Sequence, residues 1–427
     1  MRVLVVSGAY PPHRSGEATN AFYLAQHLAD RDVDVDVLTS QGAAAHAHRR
    51  ITLHPVMQTW SWGEMPRLAR VLTRCRPDAV LLVYIGWIYR YQFMVTFLPS
   101  LARKLLPGVP VVTRFENAMG ADPRHTGLVA RGLRKLMAGV VGPGDVDYSY
   151  GTLLRDSHGI IVLSERHRSI LSEVFPESRG KSVLIPPAPN MRVSTVPCEA
   201  GRRRLGVEDD AFVITYIGYL HEGKGLESLL QAFAAVKTRR PQARLVMMGG
   251  AIDPMSGNAV SYVETLHALA TSLGIARHVT WTGAYSWDSE DTSMLLRASD
   301  VCVLPFRQGV HLNNSSFASV AAHGIPIITT RGEFFEEQFV HDDNVYLCPP
   351  DSPPALEEAL EKVMSDPALR ARLRSGIARL ADEWFSWERL VDRTLAACGL
   401  APVRREIQKY ARDRRETARH LSGGGGC

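Results

Sequence analysis

Three short segments of this chain place polar or charged residues where a strand gives way to a helix. In "IGYLHEGKGLESLL" (217–230) a β-branched run ends at Gly218, and Lys224 and Gly225 open a helical pattern. A lysine beside the unsatisfied N–H groups of a helix start is a natural holder of a diphosphate. The competing reading is a lysine in solvent. The loop "SGAYPPHRSGEATN" (7–20) follows the run "RVLVVSG" and opens the helix "EATNAFYLAQHLADR". There Gly16 allows backbone to approach an anion, or serves only the turn. The third segment, "PFRQGVHLNNSSFASVAAHGIPIITT" (305–330), carries Arg307 and four helix-capping residues, Asn313, Asn314, Ser315 and Ser316. A short helix follows, ending at Gly324, and then a strand. From Phe306 through Ile325 it contains no carboxylate.

The elements that must hold these segments alternate. Strand signals at 2–8, 33–40, 78–85, 109–116 and 159–164 are joined by helical stretches, and "SVLIPPAPN" (182–190) closes the first half. The second half restarts at 212–218. Helices follow at 225–240 and 261–274, strands at 243–250, 278–285, 301–306 and 325–330. Two runs of alternating strand and helix predict an α/β chain of two doubly wound domains, with a linker near 187–208. Two such domains are expected to face each other across a cleft, with ligands outside the carboxyl ends of the strands.

A length of 427 residues suits two domains, and 45% hydrophobic with 22% charged residues is an ordinary globular balance. Of the net charge of +5, the segment 404–420 contributes +4, which leaves the remainder near neutral and excludes a broad nucleic-acid footprint. Six scattered cysteines without a C-x-x-C pair predict neither a disulfide framework nor a zinc site, and fit a cytoplasmic location. The apolar stretch 79–98 is interrupted by Arg90 and reads as a buried strand leading into a helix. The basic segment 127–141 reads equally as a membrane-surface helix or as a lid. The glycine-rich end, 421–427, reads as disordered.

Taken in order, "PPHRSG", "IGYLHEGKGLESLLQA", "MMGG", "ASDVCVLPF" and "AAHGIPIITT" resemble the retaining family 4 glycosyltransferases of GT-B fold over about residues 1–390. The resemblance implies two Rossmann-like domains. An acceptor-binding domain would span 1–190, joined by a C-terminal crossover helix within about 384–415. A nucleotide-sugar-binding domain would span 205–383. It also implies that no metal or other cofactor is required.

The resemblance further implies donor contacts from Gly16, Gly218, Lys224, Gly225 and Gly249, and acceptor contacts from Ser15, Glu17, Arg114 and Glu116. The chain departs from the pattern at three places. The family's arginine before the K-G step is here Tyr219, and its two glutamates are here His311 and Ser319. With those acids absent, His311 would contact the sugar. Arg307 would supply a second cation beside Lys224, and Asn313, Asn314, Ser315 and Ser316 would present a helix start to the phosphates. Ser319 would touch the ribose or pack the helix, and Tyr219 would line the donor or the core. Glu116 would align the acceptor or relay a proton, or else pair with Arg114. Of the acids after the strand at 325–330, one of Glu333, Glu336 and Glu337 could reach the site, though three acids on a loop read as solvated surface.

The resemblance implies a metal-independent retaining transfer, for which Lys224, His311 and Glu116 would be the catalytic set. The sugar would pass from a UDP- or GDP-sugar to a small-molecule or saccharide acceptor, as in secondary-metabolite (antibiotic) or glycan biosynthesis. A nucleotide-sugar epimerase of the same fold and a catalytically silent sugar-nucleotide-binding protein are the alternatives.

Overall fold

The computed structural model of the chain describes residues 1–13, 15–44, 48–119, 149–251, 259–285 and 290–400. The segments 127–141, 404–420 and 421–427, and the part of 384–415 beyond residue 400, lie outside the described residues. The chain divides into two compact units, 1–187 with 387–400, and 188–386.

The first unit is built on seven strands: β1 (Arg2–Val6), β2 (Asp34–Ser40), β3 (Ile51–Met57), β4 (Ala79–Tyr84), β5 (Val111–Phe115), β6 (Gly159–Val162) and β7 (Ser182–Leu184). They form one sheet in the order β3-β2-β1-β4-β5-β6-β7, and every pairing is parallel. Parallel strands covered on both faces are apolar along their length, and all six residues of β4 are buried. The apolar stretch after β4 runs through short 3-10 turns at Gly86–Tyr89 and Phe93–Phe97 into the helix Leu98–Leu105. Among the described residues no helix is long and apolar enough to cross a membrane.

The helix Trp387–Ala397 belongs to this unit although the second unit precedes it in sequence. It packs on the helix Gly16–Ala29. The rings of Trp387 and His27 stack at 4.8 Å, and Arg31 Nη1 donates to Asp392 Oδ1 at 2.7 Å.

The second unit holds β8 (Phe212–Ile217), β9 (Ala243–Met248), β10 (Val279–Gly283), β11 (Val301–Leu304), β12 (Ile327–Thr330) and β13 (Tyr346–Cys348). They form a parallel sheet in the order β10-β9-β8-β11-β12-β13. In each sheet the strand order reverses once, between β1 and β4 and between β8 and β11. At such a reversal the crossovers leave to opposite faces and open a crevice beyond the strand ends. The loops after β1 and β8 carry the first two polar segments of the sequence, and the loop after β11 carries the third.

Candidate functional site

In the second unit the site is made by backbone as much as by side chains. Gly218 and Gly249, the residues after β8 and β9, have φ of +143° and +149°, and a Cβ on Gly249 would stand 1.9 Å from the Gly218 carbonyl oxygen. Two bare glycines therefore let the strand ends touch. A Cβ on Gly218 would lie 3.8 Å from that of Ser316, so the loop after β8 and the helix start at Ser315 are neighbours. Gly225 (φ +66°) opens the helix Leu226–Arg239, and a Cβ there would meet the Pro305 carbonyl oxygen at 2.2 Å. The K-G step is thus seated against the end of β11.

Lys224 is half-buried, and its Nζ lies 4.7 Å over the Phe306 ring. Among the described residues it has no carboxylate partner. Burial alone pulls its pKa down to about 8. Burial, and then the Lys224 charge, bring the neighbouring His221 down to about 4, so that imidazole is neutral near pH 7. An ammonium held in this way gains more from an arriving anion than a solvated one does.

Arg307 differs from the expectation of a second free cation. Its Nη2 lies 3.3 Å from Glu227 and its Nε 3.3 Å from Asp351. The two carboxylates already answer its charge, which leaves Lys224, among the described residues, as the cation without an ion pair at this strand end.

The helix Ser315–Ala322 begins after Asn314, but the Asn314 side chain does not cap it. Its Oδ1 turns back to accept the His311 N–H at 2.7 Å. The first-turn N–H groups of the helix are therefore not satisfied by that side chain and point at whatever sits before the helix. Ser315 and Ser316 flank this opening half-buried, as does Asn313. Ser319 is one turn further in and buried. Its hydroxyl donates to the Ser315 carbonyl at 3.0 Å and accepts from the Asn190 N–H at 3.3 Å. Those bonds use it in packing. Tyr219 is 45% exposed and is not part of the core.

His311 is 7% exposed, and among the described residues neither ring nitrogen has a hydrogen-bond partner. Glu336 is buried beside it, with Oε2 3.8 Å from His311 Nδ1 and accepting the Leu312 N–H at 2.6 Å. Its neighbours Glu333 and Glu337 are exposed. The reading of these three acids as solvated surface is corrected for Glu336. The loop after β12 folds Phe339 into the core and carries Glu336 in with it.

In the first unit Ser15 caps the helix Gly16–Ala29, its Oγ accepting the Ala18 N–H at 3.1 Å, and Gly16 and Glu17 are that helix's first two residues. Burial, with the nearby Glu116 charge adding to it, pushes the Glu17 carboxyl up to about 7. The Trp87 side chain, in the turn after β4, donates to Glu17. Arg114 is 0% exposed, and its Nε donates to Glu116 Oε1 at 2.6 Å. Among the described residues its Nη1 and Nη2 have no hydrogen-bond partner. Burying two guanidinium nitrogens unpaired is costly unless a ligand or water takes them. Glu17, Trp87, Arg114 and Glu116 thus form one group around β4, β5 and the helix start. Trp87 is the member of this group that sequence reasoning missed, because it arrives from a turn with no motif of its own, whereas Glu336 of the second unit was named as one of three acids of which one could reach the site.

Residues 199–379 match the family Glycosyl transferases group 1. The D-inositol 3-phosphate glycosyltransferase of Stackebrandtia nassauensis is 27% identical over 404 residues, 90% of this chain and 86% of that protein. The protein of the same name from Salinispora arenicola is 29% identical over 208 residues, 47% of this chain and 44% of that one. Among solved structures, Anabaena HepE in complex with UDP and glucose superposes with a TM-score of 0.66 at 17% identity, covering 93% of this chain and 99% of that one. The sucrose-phosphate synthase of Thermosynechococcus elongatus also gives 0.66 at 17% identity, covering 92% and 97%. Residues 199–379 match the glycosyl transferases group 1 domain, and the chain has the two-domain GT-B fold of these solved structures.

Proposed function

We propose that this chain moves a sugar from a nucleoside-diphosphate sugar, UDP- or GDP-linked, to a small-molecule or saccharide acceptor, with retention at the anomeric carbon and without a metal. Lys224 carries the reading: a half-buried ammonium with no ion pair, seated at the Gly225 helix start and against the end of β11. As the diphosphate leaves, negative charge grows on its oxygens. Lys224 and the first-turn N–H groups at Ser315 and Ser316 are fixed in advance to meet it. His311 and Glu336 supply hydrogen-bonding groups for sugar hydroxyls in the acid-free stretch.

The group around Glu17, Arg114 and Glu116 holds the acceptor. The open Nη1 and Nη2 of Arg114 suit acceptor oxygen atoms, and a Glu17 that titrates near neutrality can take the proton of the attacking hydroxyl. UDP in the HepE complex and the phosphorylated inositol named in the Stackebrandtia relative fit a nucleotide donor and a polyol acceptor. Secondary-metabolite or glycan assembly in the cytoplasm is the setting we favour.

Calorimetric titration with UDP, GDP, ADP and dTDP tests the reading. Binding of one of them, weakened in Lys224→Ala, is expected. Failure of all four to bind would remove it.

A further inference from the structure

A second cluster of reactive side chains lies in the first unit, apart from the strand carboxyl ends. Asp36 of β2, His54 of β3 and Cys75, the last residue of the helix Met65–Cys75, bring one ligand atom each to within 4.8 Å of one another. His54 Nε2 is 2.7 Å from Asp36 Oδ1 and 3.5 Å from Cys75 Sγ. Asp36 and Cys75 are buried and His54 is half-buried. Cysteine spacing along the chain does not reveal this group, because its members come from three elements.

The arrangement is not a Cys–His–Asp relay. A relay needs the acid on one ring nitrogen and the thiol on the other. Here a single nitrogen faces both, so the three atoms converge on a point. With bonds of about 2.3 Å to sulfur and about 2.0 Å to nitrogen, a tetrahedral zinc sets N···S at about 3.5 Å. The observed N···S separation is already 3.5 Å. The Asp36–His54 pair would open from 2.7 Å to about 3.3 Å to admit the ion.

Arg2 lies outside this triangle. Its Nε is 3.7 Å from the other carboxylate oxygen, Asp36 Oδ2, and its Nη1 donates to the Cys75 carbonyl at 3.1 Å. It orients the acid and the helix end and leaves Oδ1 turned to the histidine, as supporting residues of metal sites do.

We propose that Asp36, His54 and Cys75 form a zinc site, with one thiolate, one imidazole and one carboxylate, and with water in the fourth position. Thiolate with imidazole selects zinc over magnesium or calcium. On binding, the Cys75 thiol loses its proton to solvent as the Zn–S bond forms. The Nε2 lone pair binds the metal, and the ring proton sits on Nδ1. Asp36 is the third residue of β2, and the chain after Cys75 enters β4 at its amino end. The ion would therefore pin the edge strand β3 and the helix to the sheet without touching the transfer chemistry.

The test uses the full chain, stripped with a chelator and given Zn²⁺ or Co²⁺. The proposal expects one retained zinc per chain by elemental analysis after desalting, a melting temperature raised by zinc, and a thiolate-to-cobalt band in the near ultraviolet. Cys75→Ser and His54→Ala should each bind zinc at least tenfold more weakly and lose the zinc-dependent melting shift. A wild-type cobalt complex without the thiolate band overturns the site and needs no variant to fold. So does zinc retention equal in wild type and Cys75→Ser, or no retention at all.

Discussion

Glu336 Oε2 stands 3.8 Å from Nδ1 of His311 and holds the Leu312 amide at 2.6 Å, although 24 residues separate Glu336 from Leu312. The stretch that has no carboxylate of its own receives one from the loop after β12. If the pair binds the donor's sugar, changing it should affect the sugar and spare the nucleotide. His311→Ala should lower kcat/KM about 10- to 100-fold, the range for one or two charged hydrogen bonds. Glu336→Gln, which keeps an acceptor for Leu312, should raise the donor KM about tenfold. Titration with the free nucleoside diphosphate should give wild-type affinity in both. A loss of nucleotide binding equal to the loss of activity would place the pair at the phosphates instead.

Lys224→Ala should weaken nucleoside diphosphate binding by about 1.5–3 kcal/mol, the worth of a hydrogen bond to a charged group. The sign with pH follows from its pKa of about 8, lowered by burial. The ammonium is present below that pH and is lost above it. Affinity should be flat from pH 6 to 7.5 and fall toward pH 9.5, and Lys224→Ala should lack the fall. Calorimetry across that range reads both.

Glu17 titrates near 7 because burial disfavours its charge. A carboxyl whose folded pKa is raised gives stability that is complete below the unfolded value and is lost as pH climbs through the folded one. Glu17→Gln should therefore be more stable than wild type at pH 8, by on the order of 1 kcal/mol, with the gap closing toward pH 4.5. Thermal unfolding at several pH values checks this. Acceptor turnover in the same variant should fall at pH 8 if Glu17 takes the proton.

Arg114→Ala leaves Glu116 buried without its partner, a loss of about 3–5 kcal/mol for a broken buried pair. The double change Arg114→Met with Glu116→Met should recover a large part of that stability while abolishing transfer. Denaturant unfolding separates the two effects. A double variant that transfers sugar at the wild-type rate would make the pair purely structural.

Gly249→Ala puts a methyl where the Gly218 carbonyl oxygen is, at 1.9 Å, on a backbone with φ +149°. Either strain alone costs about 1–3 kcal/mol. The expected result is a lower melting temperature together with weaker nucleotide binding.

The doubly wound plan was legible because buried parallel strands are continuous apolar runs, as β1, β4, β8 and β11 are, while β2 shows itself by alternation. The edge strands β3 and β13 were not marked. β3 is half-exposed, carries Pro55 and has no apolar run, and β13 is only three residues long. At the site, Lys224 and the glycines could be named because strand–glycine–helix junctions have a sequence signature. Glu336 could not be placed, since its burial depends on Phe339 anchoring its loop. Nor could the ion pairs of Arg307, whose partners Glu227 and Asp351 come from elsewhere in the fold. The Asp36–His54–Cys75 group was hidden for the same reason.

The helix Trp387–Ala397 has a consequence for how the protein is made. Its tryptophan stacks on His27, its Asp392 binds Arg31, and its last carbonyl, at Ala397, comes close to Gly159. The ribosome delivers residues 1–187 first, then the whole second unit, and only then this helix. The first unit thus emerges with one wall missing and waits for about 200 residues of synthesis before it can close. A nascent chain halted before residue 387 should expose the apolar and aromatic face of the helix Gly16–Ala29 to chaperones and proteases.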